Sequence, residues 1–276
     1  MSEGEIIELD PVLVVFFNRP EYLAQIIEVI KEQKISRIYF AGDGPRSEYD
    51  QQLIQECQRL ILDNFPNIPR KNLRFNEQNQ GCRIAVSSAI DWFFSHEEKG
   101  IILEDDCLPG PNFFNFLTES LKRFEYDMSI FSINATSPIV ANDLKSDAHL
   151  SIYPQIWGWA TWANRWRLYK RDFNDAESVI QEVIRNQLCD WSHFDRMKFQ
   201  WVWKSLLKRA GAGKIDTWDY SMLATMWRNN MLAVQTTGNY VVNIGFSKLA
   251  THTTKIPSWA PKKFWDNWQE SLGEIL

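Results

Sequence analysis

Three consecutive carboxylates, Glu104-Asp105-Asp106, close the short apolar run Ile101 to Leu103, and Pro109-Gly110-Pro111 breaks the chain just beyond them. A run without polar residues suits a strand buried on both faces, so charge collects at the C-terminal end of a buried strand. Ligands of open parallel sheets bind at that edge, and adjacent carboxylates there repel one another unless a cation or a set of donors compensates them. Side chains alternate along a strand, so Glu104 and Asp106 share a direction that Asp105 opposes. One acid of such a group can bind a metal ion while a neighbour orients water or a sugar hydroxyl. A solvated acidic turn is the alternative, because Asp is common in turns.

The elements that must position these acids read as β-α units. Val12 to Phe17 is a buried-strand run ending at Asn18-Arg19-Pro20, and Tyr22, Leu23, Ile26, Ile27 and Ile30 mark the apolar face of the following helix. Ile38 to Ala41 makes a second strand, closed by Gly42-Asp43-Gly44-Pro45, before a helix carrying Leu53, Ile54, Cys57 and Ile61. Leu73 to Phe75 and a helix with Ala85, Ala89, Trp92 and Phe93 form a weaker third unit, and the acidic strand follows with its own helix through Phe113, Phe114, Leu117, Leu121 and Phe124. Strands alternating with helices predict crossover connections and a mostly parallel sheet. No Gly-x-Gly-x-x-Gly or phosphate-loop lysine motif is present, so a diphosphate bound here is neutralised by other means.

Beyond residue 129 the rhythm changes. Ile130 to Ile133 reads as one more strand, 134 to 148 as a polar surface loop, 174–187 and 191–209 as helices, and Leu232 to Gln235 as an edge strand. Tyr240 to Val242 is strand-like, and Lys262 to Trp268 reads as a short amphipathic element packing back. These readings give one domain over 1–276, with a nucleotide-binding half at about 10–130, an acceptor half at about 131–255 and a tail at 256–276.

Composition narrows the function classes. The chain has 276 residues, 45% hydrophobic, which is ample for a packed core. A formal net charge of −5 and no run of Lys or Arg argue against a nucleic-acid surface. Cys57, Cys82, Cys107 and Cys189 lie far apart without metal-type pairing, the N-terminus shows no signal peptide, and no apolar run approaches a membrane span. A cytoplasmic protein with reduced thiols is the expectation. Thirteen tryptophans, most after residue 156, are either core or surfaces that stack on sugar rings.

Laid out in order, these residues resemble the GT-A glycosyltransferases, and within them the inverting N-acetylglucosaminyltransferases of protein-linked glycans and their bacterial hemolysin-like relatives. The resemblance runs from about Val12 to His252. It rests on Val12 to Phe17 with Asn18-Arg19-Pro20, Gly42-Asp43-Gly44, Arg83-Ile84-Ala85, Glu104-Asp105-Asp106 followed by Pro-x-Phe-Phe, Trp157-Gly158-Trp159, Trp218-Asp219, and Asn243-Ile-Gly245 through Thr251-His252-Thr253. It implies an α/β GT-A fold: a Rossmann-like, mostly parallel sheet with flanking helices and a helical, Trp-rich acceptor half. It implies a nucleotide-diphosphate sugar, UDP-linked, bound across the first half, and a carbohydrate or glycoconjugate acceptor received by the second. The stretch between Trp166 and Trp218 has no counterpart in the family, so neither the sugar nor the acceptor carries over.

By that resemblance Asp106, with Glu104 and Asp105 beside it, holds a Mn²⁺ or Mg²⁺ ion on the donor diphosphate, and His252 adds a ligand from a late loop. Asp43 accepts from the imide of the base, with a turn residue between two glycines as its alternative, while Asn18, Arg19 and Arg83 line the nucleotide, Arg19 being equally suited to a solvated place before a proline. Trp157, Gly158, Trp159 and Trp218 shape the sugar or acceptor pocket, with core packing as the alternative for Trp157 and Trp159. Inversion needs a base away from the metal cluster, and Asp219 meets that need in order and context, with Asp216 in reserve. An acid in a helix's first turn is also favoured by the backbone dipole alone. Phe264 to Trp268 looks locally like the family's base-bearing motif but comes too late in the chain to serve as one. A sugar nucleotidyltransferase would share the α/β half and the metal, but it usually carries a glycine-rich basic loop where this chain has Asn18-Arg19-Pro20. A carbohydrate-binding protein would use the tryptophans but would not need carboxylates at a strand end.

Overall fold

The computed structural model describes residues 8–33, 35, 37–136 and 148–245. Its elements in chain order are β1 (Val12–Phe16), α1 (Pro20–Glu32), β2 (Ile38–Gly42), α2 (Glu48–Asn64), β3 (Leu73–Phe75), α3 (Cys82–Phe93), β4 (Lys99–Glu104), β5 (Cys107–Pro109), α4 (Phe113–Arg123), β6 (Ile130–Asn134), β7 (Ala148–Ser151), β8 (Trp159–Trp162), α5 (Ala163–Trp166), α6 (Ala176–Asn186), α7 (His193–Gly211), α8 (Asp219–Arg228), β9 (Leu232–Thr236) and β10 (Val241–Asn243). Eight strands form one sheet in the order β3-β2-β1-β4-β8-β6-β9-β7, and β10 pairs with β5 in a small antiparallel ribbon. The β3-β2-β1-β4 half is parallel throughout. β8 joins it antiparallel to β4, β6 and β9 pair in parallel, and β7 closes the far edge antiparallel to β9.

The alternation of side chains along β1 divides the core. Val12, Val14 and Phe16 face a cluster with Leu23, Ile26 and Ile30 of α1, Cys57 and Ile61 of α2, and Phe113, Phe114 and Leu117 of α4. Leu13 and Val15 face the other side, with Val86, Ala89 and Ile90 of α3, Trp166 of α5, and Met222 and Met226 of α8. A third cluster packs α6 and α7 on the outer side of α8 through Val179, Val183, Phe199, Leu207, Leu223 and Trp227. Helix α8 is therefore covered by the sheet on one side and by two helices on the other, and every residue from Ser221 to Trp227 is buried. Local signals agree with these boundaries: Pro20 opens α1 at a position where its missing N–H costs nothing, and the Ser47 side chain accepts from the Asp50 amide at 3.1 Å to cap α2.

The α/β arrangement matches the GT-A expectation, with three differences in the second half. β9 is not an edge strand, because β6 and β7 flank it. β7 begins at Ala148, the last residue of the stretch expected to be loop, and the aromatic segment Trp159 to Trp162 is β8, an interior strand between β4 and β6. Lys262 to Trp268 and the 256–276 tail lie outside the described residues. All four cysteines are free thiols, and no helix among the described residues is long and apolar enough to cross a membrane.

The turn into β8 has a strict backbone requirement. Gly158 has φ +65°, and a Cβ placed there would stand 2.5 Å from Cε2 of the buried Phe113. Gly158→Ala meets both a left-handed backbone penalty and overpacking, so urea unfolding should show a loss of about 2 kcal/mol or more. A midpoint equal to that of the parent protein would mean that this turn tolerates a side chain.

Candidate active site

The strand order reverses between β1 and β4, and the C-terminal ends of these two parallel neighbours form the crevice where open α/β sheets bind ligands. Val15 pairs with Glu104, and the Asp105 amide donates to the Val15 carbonyl at 3.0 Å, so the acidic triplet leaves β4 alongside the end of β1. Asp105 is 1% exposed; its Oδ2 accepts from the Phe17 amide at 3.1 Å. Arg19, the N-cap of α1, turns its guanidinium onto the same acids. One nitrogen donates to Oδ1 of Asp105, the other to Oδ2 of Asp106 at 2.7 Å. Burial works against the Arg19 charge, but Asp105 and Asp106 outweigh it and hold the guanidinium protonated above its ordinary range. Burial pushes the Asp105 carboxyl up, and Arg19 draws it part of the way back.

One guanidinium does not balance this corner. Desolvation, and after it the charge of Asp106, pushes Glu104 up to about 8 against the opposing pull of Arg19; Asp105 and Asp219 add to the rise. Asp219, the first residue of α8, thus lies near enough for its charge to be felt at the end of β4. Its carboxylate accepts from the Thr217 hydroxyl and, at 2.9 Å, from the Tyr220 amide. Cys82, the first residue of α3, lies within the same field: burial first, then Glu104, Asp216 and Asp219, raise its thiol pKa.

The second wall is built by the turn after β2. Asp43 accepts from the side chains of Asn76 at 3.1 Å and Asn79 at 2.9 Å, and from the amides of Gln80 and Gly81 at 3.0 to 3.1 Å. Both of its oxygens are engaged by loop 76–81, so Asp43 shapes this wall by holding the loop. Asp216 is likewise committed to the backbone. It accepts from the amides of Cys82 and Arg83 at 3.2 and 2.9 Å and so compensates the N-terminus of α3, whose N-cap residue Gly81 has no side chain to do so. The Arg83 guanidinium donates to the Arg171 carbonyl at 2.6 Å and to Asp172 at 2.7 Å. Asn18 donates at 2.6 Å to Asp50 in the first turn of α2, where Arg46 also binds.

The aromatic residues divide between core and rim. Trp159 and Trp218 are each 1% exposed and stack on one another with ring centroids 5.5 Å apart. They brace β8 against the start of α8. Trp157 is half-buried beside Gly158. Sequence reasoning missed Asn76, Asn79 and Gln80 as the residues that fix Asp43; the polar loop running into Gly81, where φ is +77°, was the available signal.

The oxygen donors suit a hard divalent cation. Such an ion needs only one or two carboxylates when phosphate oxygens and water complete its shell, and Asp106, with a side chain 15% exposed, stands at the open end of an undercompensated acidic corner. Its carbonyl accepts from the Ile244 amide at 2.8 Å, which brings the chain after β10 over the site. No cluster of three or more His, Cys, Asp or Glu arranged for a metal occurs among the described residues, and His252 lies outside them.

The sequence profile of a family described as Glycosyl transferase family 2 matches residues 12–200, more than half of the chain. No curated protein matches. Among solved structures, a UDP-glucose pyrophosphorylase in complex with UDP-glucose aligns over 85% of this chain and 93% of its own, at a TM-score of 0.43 and 7% identity. The apo form of the bifunctional glycosyltransferase WbbM aligns over 83% of this chain at a TM-score of 0.38 and 10% identity, and this chain covers 38% of WbbM. An apo UDP-glucose pyrophosphorylase aligns over 96% of this chain and all of its own, at a TM-score of 0.39 and 9% identity.

The role of Asp43 is directly testable. Asp43→Ala strands the donors of loop 76–81, and thermal or urea unfolding should show a loss of about 2 to 3 kcal/mol, the scale of hydrogen bonds to a charged group. Unchanged stability would show that the loop holds itself.

Proposed function

The chain belongs to glycosyl transferase family 2, and we propose that it moves a sugar from a UDP-linked donor to a hydroxyl of a glycan or related acceptor, with inversion at the anomeric carbon. The observation that carries the reading is the convergence of Arg19 from the end of β1, Glu104 to Asp106 from the end of β4, and Asp219 from α8 on one crevice at the switch point of the sheet. The proposal extends to a hexosyl or N-acetylhexosaminyl unit, to kinship with the N-acetylglucosaminyltransferases of protein-linked glycans and the hemolysin-like bacterial proteins, and to a cytoplasmic setting.

In this reading the crevice between β1, β4 and loop 76–81 receives the nucleotide, with Asp43 acting through the loop it holds. Asp106 and the diphosphate would share a Mn²⁺ or Mg²⁺ ion, which supplies positive charge where the departing nucleoside diphosphate gains negative charge. Arg19 keeps Asp105 and Asp106 oriented and supplies a second, fixed positive charge at the same corner. Asp219 takes the proton of the acceptor hydroxyl as its oxygen bonds to the anomeric carbon, while the electron pair of the breaking C–O bond leaves with the diphosphate from the opposite face. Thr217 and the Tyr220 amide fix the orientation of the Asp219 carboxylate.

Asp106→Asn keeps the shape of the side chain and removes its charge. Titration calorimetry of UDP with Mn²⁺ should lose its metal-dependent component, and an affinity equal to that of the parent protein would remove Asp106 from the metal site. Asp219→Asn should bind nucleotide and metal normally while turnover falls by about 10² to 10⁴-fold, the usual contribution of a general base. Near-normal transfer by that variant would place the base elsewhere, and a product that keeps the donor's anomeric configuration would rule out inversion.

A further inference from the structure

Helix α7 carries an apolar face that stays exposed among the described residues. Its inward residues Phe199, Leu207 and Ala210 are buried. On the opposite side Phe194, Met197 and Trp201, at spacings of three and four, are 70%, 51% and 81% exposed, with Trp191 and Val202 beside them at 42% and 38%. Large apolar side chains scattered singly over a surface need no explanation, but a contiguous aromatic stripe along one helix does.

The charge of this helix opposes that of the chain. Within a protein of formal net charge −5, α7 holds Arg196, Lys198, Lys204, Lys208 and Arg209 against the single acid Asp195. Glu177 of α6 engages Lys204 at 2.9 Å and Lys208 at 3.9 Å. Lys198, Lys208 and Arg209 are exposed on the same side as the aromatic stripe. A convex helix with aromatic and apolar side chains along one line and Lys and Arg beside them offers no recess for a small ligand. It fits a planar partner with an apolar interior and a negatively charged surface.

We infer that the exposed face of α7 docks this protein on an anionic lipid bilayer, with Phe194, Met197 and Trp201 inserted at headgroup depth and Lys198, Lys208 and Arg209 against lipid phosphates. The contact is peripheral. From the end of α7 the chain passes through residues 212–218, which include Asp216, to Asp219, so the docking helix is continuous with the segment that borders the crevice. The inference rests on the surface of α7 and holds whatever reaction the crevice performs.

Vesicle flotation of the full chain tests it without any activity measurement. Vesicles of phosphatidylcholine mixed with phosphatidylglycerol should carry the protein, and those of phosphatidylcholine alone should carry much less. The variant Phe194→Ser/Trp201→Ser, which changes two exposed residues and should unfold like the parent, should stay in solution. Lys198→Glu/Arg209→Glu should lower partition about tenfold or more at low salt, with the difference shrinking as salt is added. No flotation with anionic vesicles overturns the proposal, as does flotation that survives the aromatic double substitution. Sedimentation that shows a dimer split by Phe194→Ser/Trp201→Ser would also overturn it, in favour of a second copy on this face. Flotation gained only on removing residues 246–276 would overturn it in favour of the chain's own tail.

Discussion

The contact on which the site depends is the guanidinium of Arg19 between Asp105 and Asp106. Consecutive carboxylates at the end of a buried strand cannot stay ionised in a folded chain without positive charge close by. Arg19 supplies it because β1 and β4 are parallel neighbours, and because Pro20 starts α1 at a point that leaves Arg19 at the helix entrance, facing β4. The same contact ties the first α/β unit to the fourth across the reversal in strand order. One guanidinium meets several carboxylates here, and burial, then the charge of Asp106, pushes Glu104 up to about 8 in spite of Arg19. A fold of this kind keeps an opening for cationic or cation-bearing ligands at one defined place.

Around that contact the remaining walls are held indirectly. Asp43 fastens loop 76–81, Asp216 compensates the start of α3, and the Trp159–Trp218 stack sets where α8 begins and hence where Asp219 stands. Two aspartates and a pair of tryptophans, residues of types usually associated with chemistry, thus hold the walls of the site in place. Burial of α8 on both sides makes its first turn a rigid platform, which a residue required to face the acidic corner needs.

The parallel half of the fold was legible in the sequence because its strands are apolar runs buried on both faces and its helices repeat at helical spacing. The acidic corner was legible for the same reason: three charges after Ile101 to Leu103 have no other place to go. What sequence could not give was set by contacts between distant residues. β8 is short and aromatic, so its strand character is hidden among tryptophans equally suited to a sugar pocket, and the interior position of β9 depends on β7, which starts at the end of a polar stretch. The partner of Arg19 lies 87 residues away and that of Asp216 lies 133 away, beyond any local pattern. The donors to Asp216 and most of those to Asp43 are backbone amides, which every residue but proline carries, so no residue type in the sequence marks them.

The central claim is that the crevice between β1 and β4 takes a nucleoside diphosphate together with a divalent cation. A ligand that binds only the folded state raises the apparent melting temperature, so a thermal-shift series of nucleoside diphosphates and free sugars, each with and without Mn²⁺, measures it directly. The account predicts stabilisation by UDP that is strongest with Mn²⁺ and no response to free sugars alone. A melting temperature unmoved by any nucleotide, or raised by free sugars without nucleotide or metal, would contradict it.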